Sequence, residues 1–233
     1  MLRRVRARQL LASAATPEGA TVSLFREAEG FTVRVGSDVL MDSRVHGSEQ
    51  AMAHVAAAAI ANQREPRVLI GGLGMGFTLR AVLDVLGPDG EVVVAEILPC
   101  VVEWNRDMLA SLSGSALEDP RVRVEVIDVV DLLATQAAAF DAILLDVDNG
   151  PEAFSAPRNA RLYAPAGLAM TRAALRPGGV LVVWSAFTSR AFQRAMAHAG
   201  FAVETHSVRA RSNVRKGAHH TLFVGRVAPA RRL

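Results

Sequence analysis

The sequence is short of several residue types, and each shortage closes an option. A single cysteine, Cys100, in 233 residues leaves no internal disulfide and no cysteine-built zinc centre. The chain therefore suits a reducing, cytoplasmic setting. Charge of one sign is also lacking: 26 Lys+Arg against 23 Asp+Glu give a net +3, too small an excess to call for nucleic acid. Nearly every cation is arginine, with Lys216 the lone lysine, which reads as a compositional habit more than a basic binding face. No apolar run approaches the ~20 residues that a membrane helix needs, so no membrane partner is expected. What is plentiful is apolar side chains, 51% of the total. That fraction argues against disorder and for one large domain with a small appendage.

Met1 to Ala15 is arginine-rich around the short stretch Leu10-Leu11-Ala12. The apolar stretch is too brief for a secretory signal. An organellar transit peptide has a similar composition, but the plainer reading of residues 1–17 is a mobile or helical solvated arm carrying Arg3, Arg4, Arg6 and Arg8. Residues 18–47 read as a small β-hairpin region. Thr21 to Phe25 and Phe31 to Val35 alternate apolar with polar around a turn at Glu29-Gly30, and Gly36-Ser37-Asp38 leads into Val39-Leu40-Met41. Such hairpins are too small to be stable alone; they are expected to pack on the body or on a second subunit, in a homodimer.

Residues 48–233 carry a different pattern, strand and helix in turn. Ser48 to Ala61 reads as an alanine-rich helix capped by Ser48. Strands are expected at Val68 to Ile70, Glu91 to Ile97, Val122 to Ile127, Phe140 to Val147 and Val180 to Ser185. Helices are expected at Phe77 to Leu86, Pro99 to Leu112, Val130 to Ala137, Leu162 to Leu175 and Ser189 to Ala199. Two consecutive strands, Ala202 to Arg209 and Thr221 to Val227, finish the chain. Apolar strands alternating with helices specify a doubly wound, mostly parallel α/β sheet, here of seven strands with an antiparallel last strand and the small hairpin region before it.

The chemistry gathers where those strands end. Gly71-Gly72-Leu73-Gly74-Met75-Gly76 follows the first core strand and opens a helix. Missing Cβ atoms let the backbone approach a ligand, and the helix start offers N–H groups. Alone, such a loop also serves packing. Glu96 strengthens it, because it ends the second strand about twenty residues on, where a carboxylate can accept both hydroxyls of a ribose; Ile97 follows it. Asp128 ends the third strand and Asp146 the fourth, followed by Val147-Asp148-Asn149-Gly150-Pro151. Each acid singly could be a helix cap. Four features in successive loops share the carboxyl rim where open sheets bind ligands. A dehydrogenase accounts for the glycines and Glu96, but not for Asp128, the acidic loop or the paired final strands.

Residues 38–190 resemble the spermidine synthase (polyamine aminopropyltransferase) family, within the S-adenosylmethionine-dependent methyltransferase fold. The hairpins, VLIGGLGMG, VVVAEI, DPRVRVEVIDV, FDAILLDVDNGP and LRPGGVLVVWS fall in the family's order. The resemblance implies that Gly71, Gly72, Gly74 and Glu96 hold the nucleoside, with Gln50 as a further nucleoside contact. It implies that Asp128 and Val129 flank the adenine and that Asp146 helps to bind and deprotonate an attacking amine. The departures are specific. The family's glycine loop has Asp where this chain has Met75, the Tyr beside its Gln appears as Glu49, and its second loop carboxylate is moved to Asp148. Its downstream Tyr-Pro segment has no counterpart; Arg209-Ala210-Arg211, Arg215-Lys216 and His219-His220 stand there instead.

The expectation is a retained donor pocket and a rebuilt acceptor pocket. Asp146, Asp148 and Glu49 form its catalytic set, and His46, Asn149 and Tyr163 are acceptor contacts, although a lone His or Tyr is as often structural. His219 and His220, consecutive on a strand, point to opposite faces and do not share a metal. Met75 tilts the donor towards S-adenosylmethionine and methyl transfer to a small, cationic amine. Aminopropyl transfer from decarboxylated S-adenosylmethionine is the alternative. An RNA methyltransferase using the arginine clusters and a non-catalytic nucleoside binder are the other classes.

Overall fold

The computed structural model describes residues 8–17, 19–61, 63–147, 150–151, 159–210 and 218–230. The chain divides into two compact units, Met1–His46 and Gly47–Leu233.

The first unit is a four-stranded antiparallel sheet, β1 (Gln9–Ala15), β2 (Thr21–Glu27), β3 (Gly30–Val35) and β4 (Asp38–Asp42), in that order. Val22, Leu24 and Val33 are its fully buried side chains. Residues 9–15 thus form an edge strand rather than a mobile or helical arm. Arg8 is also placed, its guanidinium 4.7 Å from the centre of the Phe25 ring. An edge strand shows the alternation of buried and exposed positions only weakly, and β1 buries none of its residues fully.

The second unit is the α/β body. Its elements are α1 (Gly47–Ile60), β5 (Arg67–Gly71), α2 (Phe77–Val85), β6 (Glu91–Glu96), α3 (Pro99–Arg106), β7 (Val122–Val126), α4 (Val129–Leu133), β8 (Phe140–Leu145), α5 (Ala160–Tyr163), α6 (Pro165–Ala174), β9 (Leu175–Ser185), α7 (Arg190–His198), β10 (Ala202–Arg209) and β11 (His219–Arg226). The sheet order is β10-β11-β9-β8-β5-β6-β7. β7, β6, β5, β8 and β9 are parallel, and β11 joins β9 antiparallel with β10 outside it. Every residue of β8 is buried, as is β5 beyond Arg67, which explains their unbroken apolar runs. α1 packs with α2 and on β8 and β9, while α4, α6 and α7 form a second contacting set. Among the described residues no helix is long and apolar enough to cross a membrane.

Several boundaries differ from expectation for local reasons. The helix expected over 162–175 is two helices, because Ala164 is extended ahead of Pro165 (ψ 161°), a conformation that the proline ring favours in its neighbour. Leu175 already pairs with Phe140, so β9 begins before Pro177-Gly178-Gly179 and carries a register shift there. The helix expected over 99–112 is α3 plus a separate 3-10 turn, Ala110–Leu112. α1 begins at Gly47, which puts Ser48 inside its first turn rather than at the cap.

One buried carboxylate ties three strands together. Asp141 is 2% exposed, and its Oδ2 accepts the Arg67 N–H at 2.8 Å and a bond from Arg176 Nη1 at 2.7 Å. Asp141→Ala leaves a partly buried N–H and the Arg176 guanidinium without their shared partner, so a loss of about 2–4 kcal/mol is expected in chemical denaturation, with Asp141→Asn losing less. An unchanged midpoint in the alanine variant would remove this role.

Candidate functional site

From β5 the chain builds outward to β6 and β7, then returns to lay β8 on the other side of β5. The order reverses between β5 and β8, and such a switch point opens a crevice beyond the strand ends. The glycine loop and Asp146 meet there. The Asp146 N–H donates to the Gly71 carbonyl at 2.9 Å. Gly72 has φ +89°, and a Cβ on it would lie 2.4 Å from the Asp146 carbonyl oxygen. Only glycine permits that contact, so the loop's composition sets how closely the two strand ends approach.

Glu96 is buried at the end of β6 and works on the backbone. Its Oε2 accepts the Leu73 N–H at 2.8 Å, and its Oε1 accepts the Leu98 N–H at 2.9 Å. It thereby fixes the glycine loop against the turn that contains Ile97. Burial raises its pKa, and the two N–H bonds oppose the rise.

Asp146 is held by a neighbour that sequence reading did not single out. The Thr78 hydroxyl, in the first turn of α2, donates to Asp146 Oδ2 at 2.8 Å. Glu49, on the first turn of α1, lies near enough for the Asp146 charge to act on it. Burial first, and that charge second, push Glu49 up to about 8, while the Ser48 hydroxyl opposes the shift. Burial likewise raises Asp146, against the Thr78 bond. Both residues keep some exposed surface, yet protein rather than water surrounds much of each carboxylate. Two such acids cannot both ionise cheaply without a cation between them.

The remaining candidates are placed as follows. Asp128 caps α4, accepting the Val130 N–H at 2.9 Å, and pairs with Arg161 at 3.1 Å. Val129 is buried beneath Gly71. Met75 is 4% exposed and counts with the core. Gln50 is exposed, its carbonyl accepting from His54 Nδ1 at 2.7 Å. Tyr163, expected as an acceptor contact, is instead a core residue, its ring edge-on to Phe192 with centroids 5.5 Å apart. His46 belongs to the first unit, where its Nδ1 lies 3.2 Å from the Ser43 carbonyl. Asp148 and Asn149 lie outside the described residues, as do Arg211, Arg215 and Lys216. Gly150 (φ +94°) is pressed against Ser185, where a Cβ would lie 2.3 Å from Oγ.

An open, mostly parallel sheet with a glycine loop, an acid ending the second strand and carboxylates at the switch point is the layout found in nucleotide- and nucleoside-binding α/β proteins. Within that class the chain belongs to the spermine/spermidine synthase domain family, which it matches over residues 45–199. It is 33% identical over 150 residues to a polyamine aminopropyltransferase of Mycobacterium tuberculosis, covering 60% of this chain and 28% of that protein. A polyamine aminopropyltransferase of Aeropyrum pernix is 32% identical over 155 residues, 63% of this chain and 48% of its own. The chain thus spans less than half the length of these relatives. In fold it is similar to the crystal structure of spermidine synthase from Thermotoga maritima, with a TM-score of 0.73 at 18% identity over 93% of this chain and 72% of that one. A spermidine synthase bound to the transition-state analogue AdoDATO gives 0.74 at 16% identity, over 95% and 73%.

Proposed function

We propose that this protein transfers an aminopropyl group from decarboxylated S-adenosylmethionine to a small amine. The observation that carries the reading is the half-buried carboxylate pair, Glu49 and Asp146, beside the glycine loop at the switch point of this family's fold. In the reaction, the acceptor nitrogen attacks the propyl carbon next to sulfur. The C–S bond breaks, sulfur keeps its electron pair as a neutral thioether, and the nitrogen passes a proton to Asp146. The residues contribute orientation, a partly dry setting and a base. Gly71, Gly72, Gly74, Glu96 and Ile97 are assigned to the nucleoside, with Asp128 and Val129 at the adenine.

This reverses the preference for methyl transfer that Met75 suggested. Family membership and the aminopropyltransferase relatives favour the decarboxylated donor, and a buried Met75 is a weak guide to what a ligand meets. The deciding experiment is calorimetry with decarboxylated S-adenosylmethionine, S-adenosylmethionine and methylthioadenosine, followed by a transfer assay with a diamine. Tighter binding of S-adenosylmethionine, with methylated product, would restore the methyltransferase reading. The proposal includes a homodimer, for which exposed Leu10, Val39 and Leu40 of the four-stranded sheet are the supporting surface.

The carboxylate pair also predicts a pH dependence. A folded-state pKa of about 8 for Glu49 stands above its ordinary 4.5, so between those values the folded chain holds a proton that the unfolded chain has released. This group's contribution to stability therefore falls as pH rises across that window and levels off above it. An ammonium entering beside Glu49 must displace the proton. Below pH about 8 diamine affinity should drop by up to roughly tenfold per pH unit, with release of nearly one proton, read by calorimetry in buffers of different ionisation enthalpy. Binding without proton release at pH 7 would contradict the assignment of Glu49.

A further inference from the structure

Behind Glu49 lies a chain of hydrogen bonds that donor binding does not explain. The Ser48 hydroxyl donates to Glu49 Oε2 at 2.7 Å and also lies 2.9 Å from His220 Nδ1. The indole N–H of Trp184 donates to that same Nδ1 at 3.2 Å, with the two rings edge-on and their centroids 4.6 Å apart. The three partners come from α1, β9 and β11, so the sheet itself assembles them. Ser48 is 1% exposed, out of reach of any substrate and therefore not a nucleophile.

We propose that Trp184, His220 and Ser48 are a positioning relay that commits the single Ser48 proton to Glu49 and so eases ionisation of its carboxyl when a cationic acceptor enters. The tautomer follows from counting hydrogens. Nδ1 has one in-plane lone pair, and the Trp184 N–H occupies it. The neutral ring then carries its hydrogen on Nε2. With Nδ1 engaged, the Ser48 hydroxyl turns to the nearer acceptor, Glu49 Oε2. Burial, then the neighbouring His219, keep His220 below its usual pKa, in keeping with a ring that accepts at Nδ1. The charge acting on Glu49 is Asp146, and Ser48 offsets part of its effect. The purpose assigned to the relay rests on the acceptor reading above; the relay itself is measurable without any acceptor.

The test is NMR on the full chain, following the Glu49 carboxyl carbon and the His220 ring nitrogens against pH. The wild type should show His220 with Nε2 protonated and Nδ1 bare. Ser48→Ala should raise the Glu49 midpoint by about one pH unit, from the loss of one bond to a charged acceptor. Trp184→Phe keeps an aromatic ring but frees Nδ1 to compete for the Ser48 proton, so it should raise the midpoint by less. The double variant should match Ser48→Ala alone, because Trp184 acts only through Ser48. A proton on Nδ1 in the wild type overturns the relay even if a variant fails to fold. So does a Glu49 midpoint indifferent to Trp184→Phe. Expected titrations in a protein that binds no amine would uphold the relay and count against the function reading instead.

Discussion

Asp146→Asn is expected to lower turnover by about 10²- to 10⁴-fold, the usual range for removing a positioned base, with little change in donor affinity. The substitution keeps size and shape, and the Thr78 hydroxyl that donates to Oδ2 at 2.8 Å can still find an acceptor on the asparagine. What disappears is the negative charge proposed to take the proton from the attacking nitrogen. A second effect needs no substrate. The Asp146 charge is one of the two causes that push Glu49 up to about 8, so in the asparagine variant the Glu49 midpoint should move down towards the ordinary carboxylate range. Steady-state kinetics with a diamine and decarboxylated donor give the first readout, and carboxyl NMR gives the second. Full turnover would remove Asp146 from the chemical step; a Glu49 midpoint that stays in place would mean the two acids do not sense each other.

The two readouts separate what the sequence could disclose from what it could not. The glycine loop, Glu96 and Asp146 are legible because each ends an apolar run. Runs of that kind become parallel strands whose ends share a rim, and the observed order β8-β5-β6-β7 sets them side by side. The seven-stranded sheet and its antiparallel close are legible on the same grounds. Contacts between side chains are not. Ser48 and His220 are 172 residues apart and meet only because the fold brings β11 to α1; nothing local marks His220 as a neighbour of Ser48. Thr78 is hidden for a similar reason, one threonine in a helix whose other buried residues are apolar. Residues 9–15 mislead because an edge strand can be mostly exposed and still pair along its length. Tyr163, expected as an acceptor contact, misleads because only the fold shows that its ring packs on Phe192.

Glu96 is where a legible residue turns out to have a second task, and its variants should divide the two. Sequence register alone suggests that Glu96→Ala weakens nucleoside binding and spares the fold. The bonds to the Leu73 and Leu98 N–H groups change that expectation. Alanine leaves both backbone donors unpartnered beside a buried position, at about 1–3 kcal/mol each if water cannot reach them, so the melting temperature should fall with the affinity. Glu96→Gln keeps one oxygen acceptor and puts an amide where the other N–H points, so it should lose less stability than alanine. Both variants remove the charge proposed to accept ribose hydroxyls, and methylthioadenosine affinity should fall by about 2–4 kcal/mol in alanine and by less in glutamine. Thermal unfolding and calorimetry on the same two proteins read the two tasks independently. A melting temperature unchanged in Glu96→Ala would show that the loop does not depend on this carboxylate. Wild-type nucleoside affinity in a folded Glu96→Gln would take the charge out of the donor pocket, leaving Glu96 with only its hold on Leu73 and Leu98.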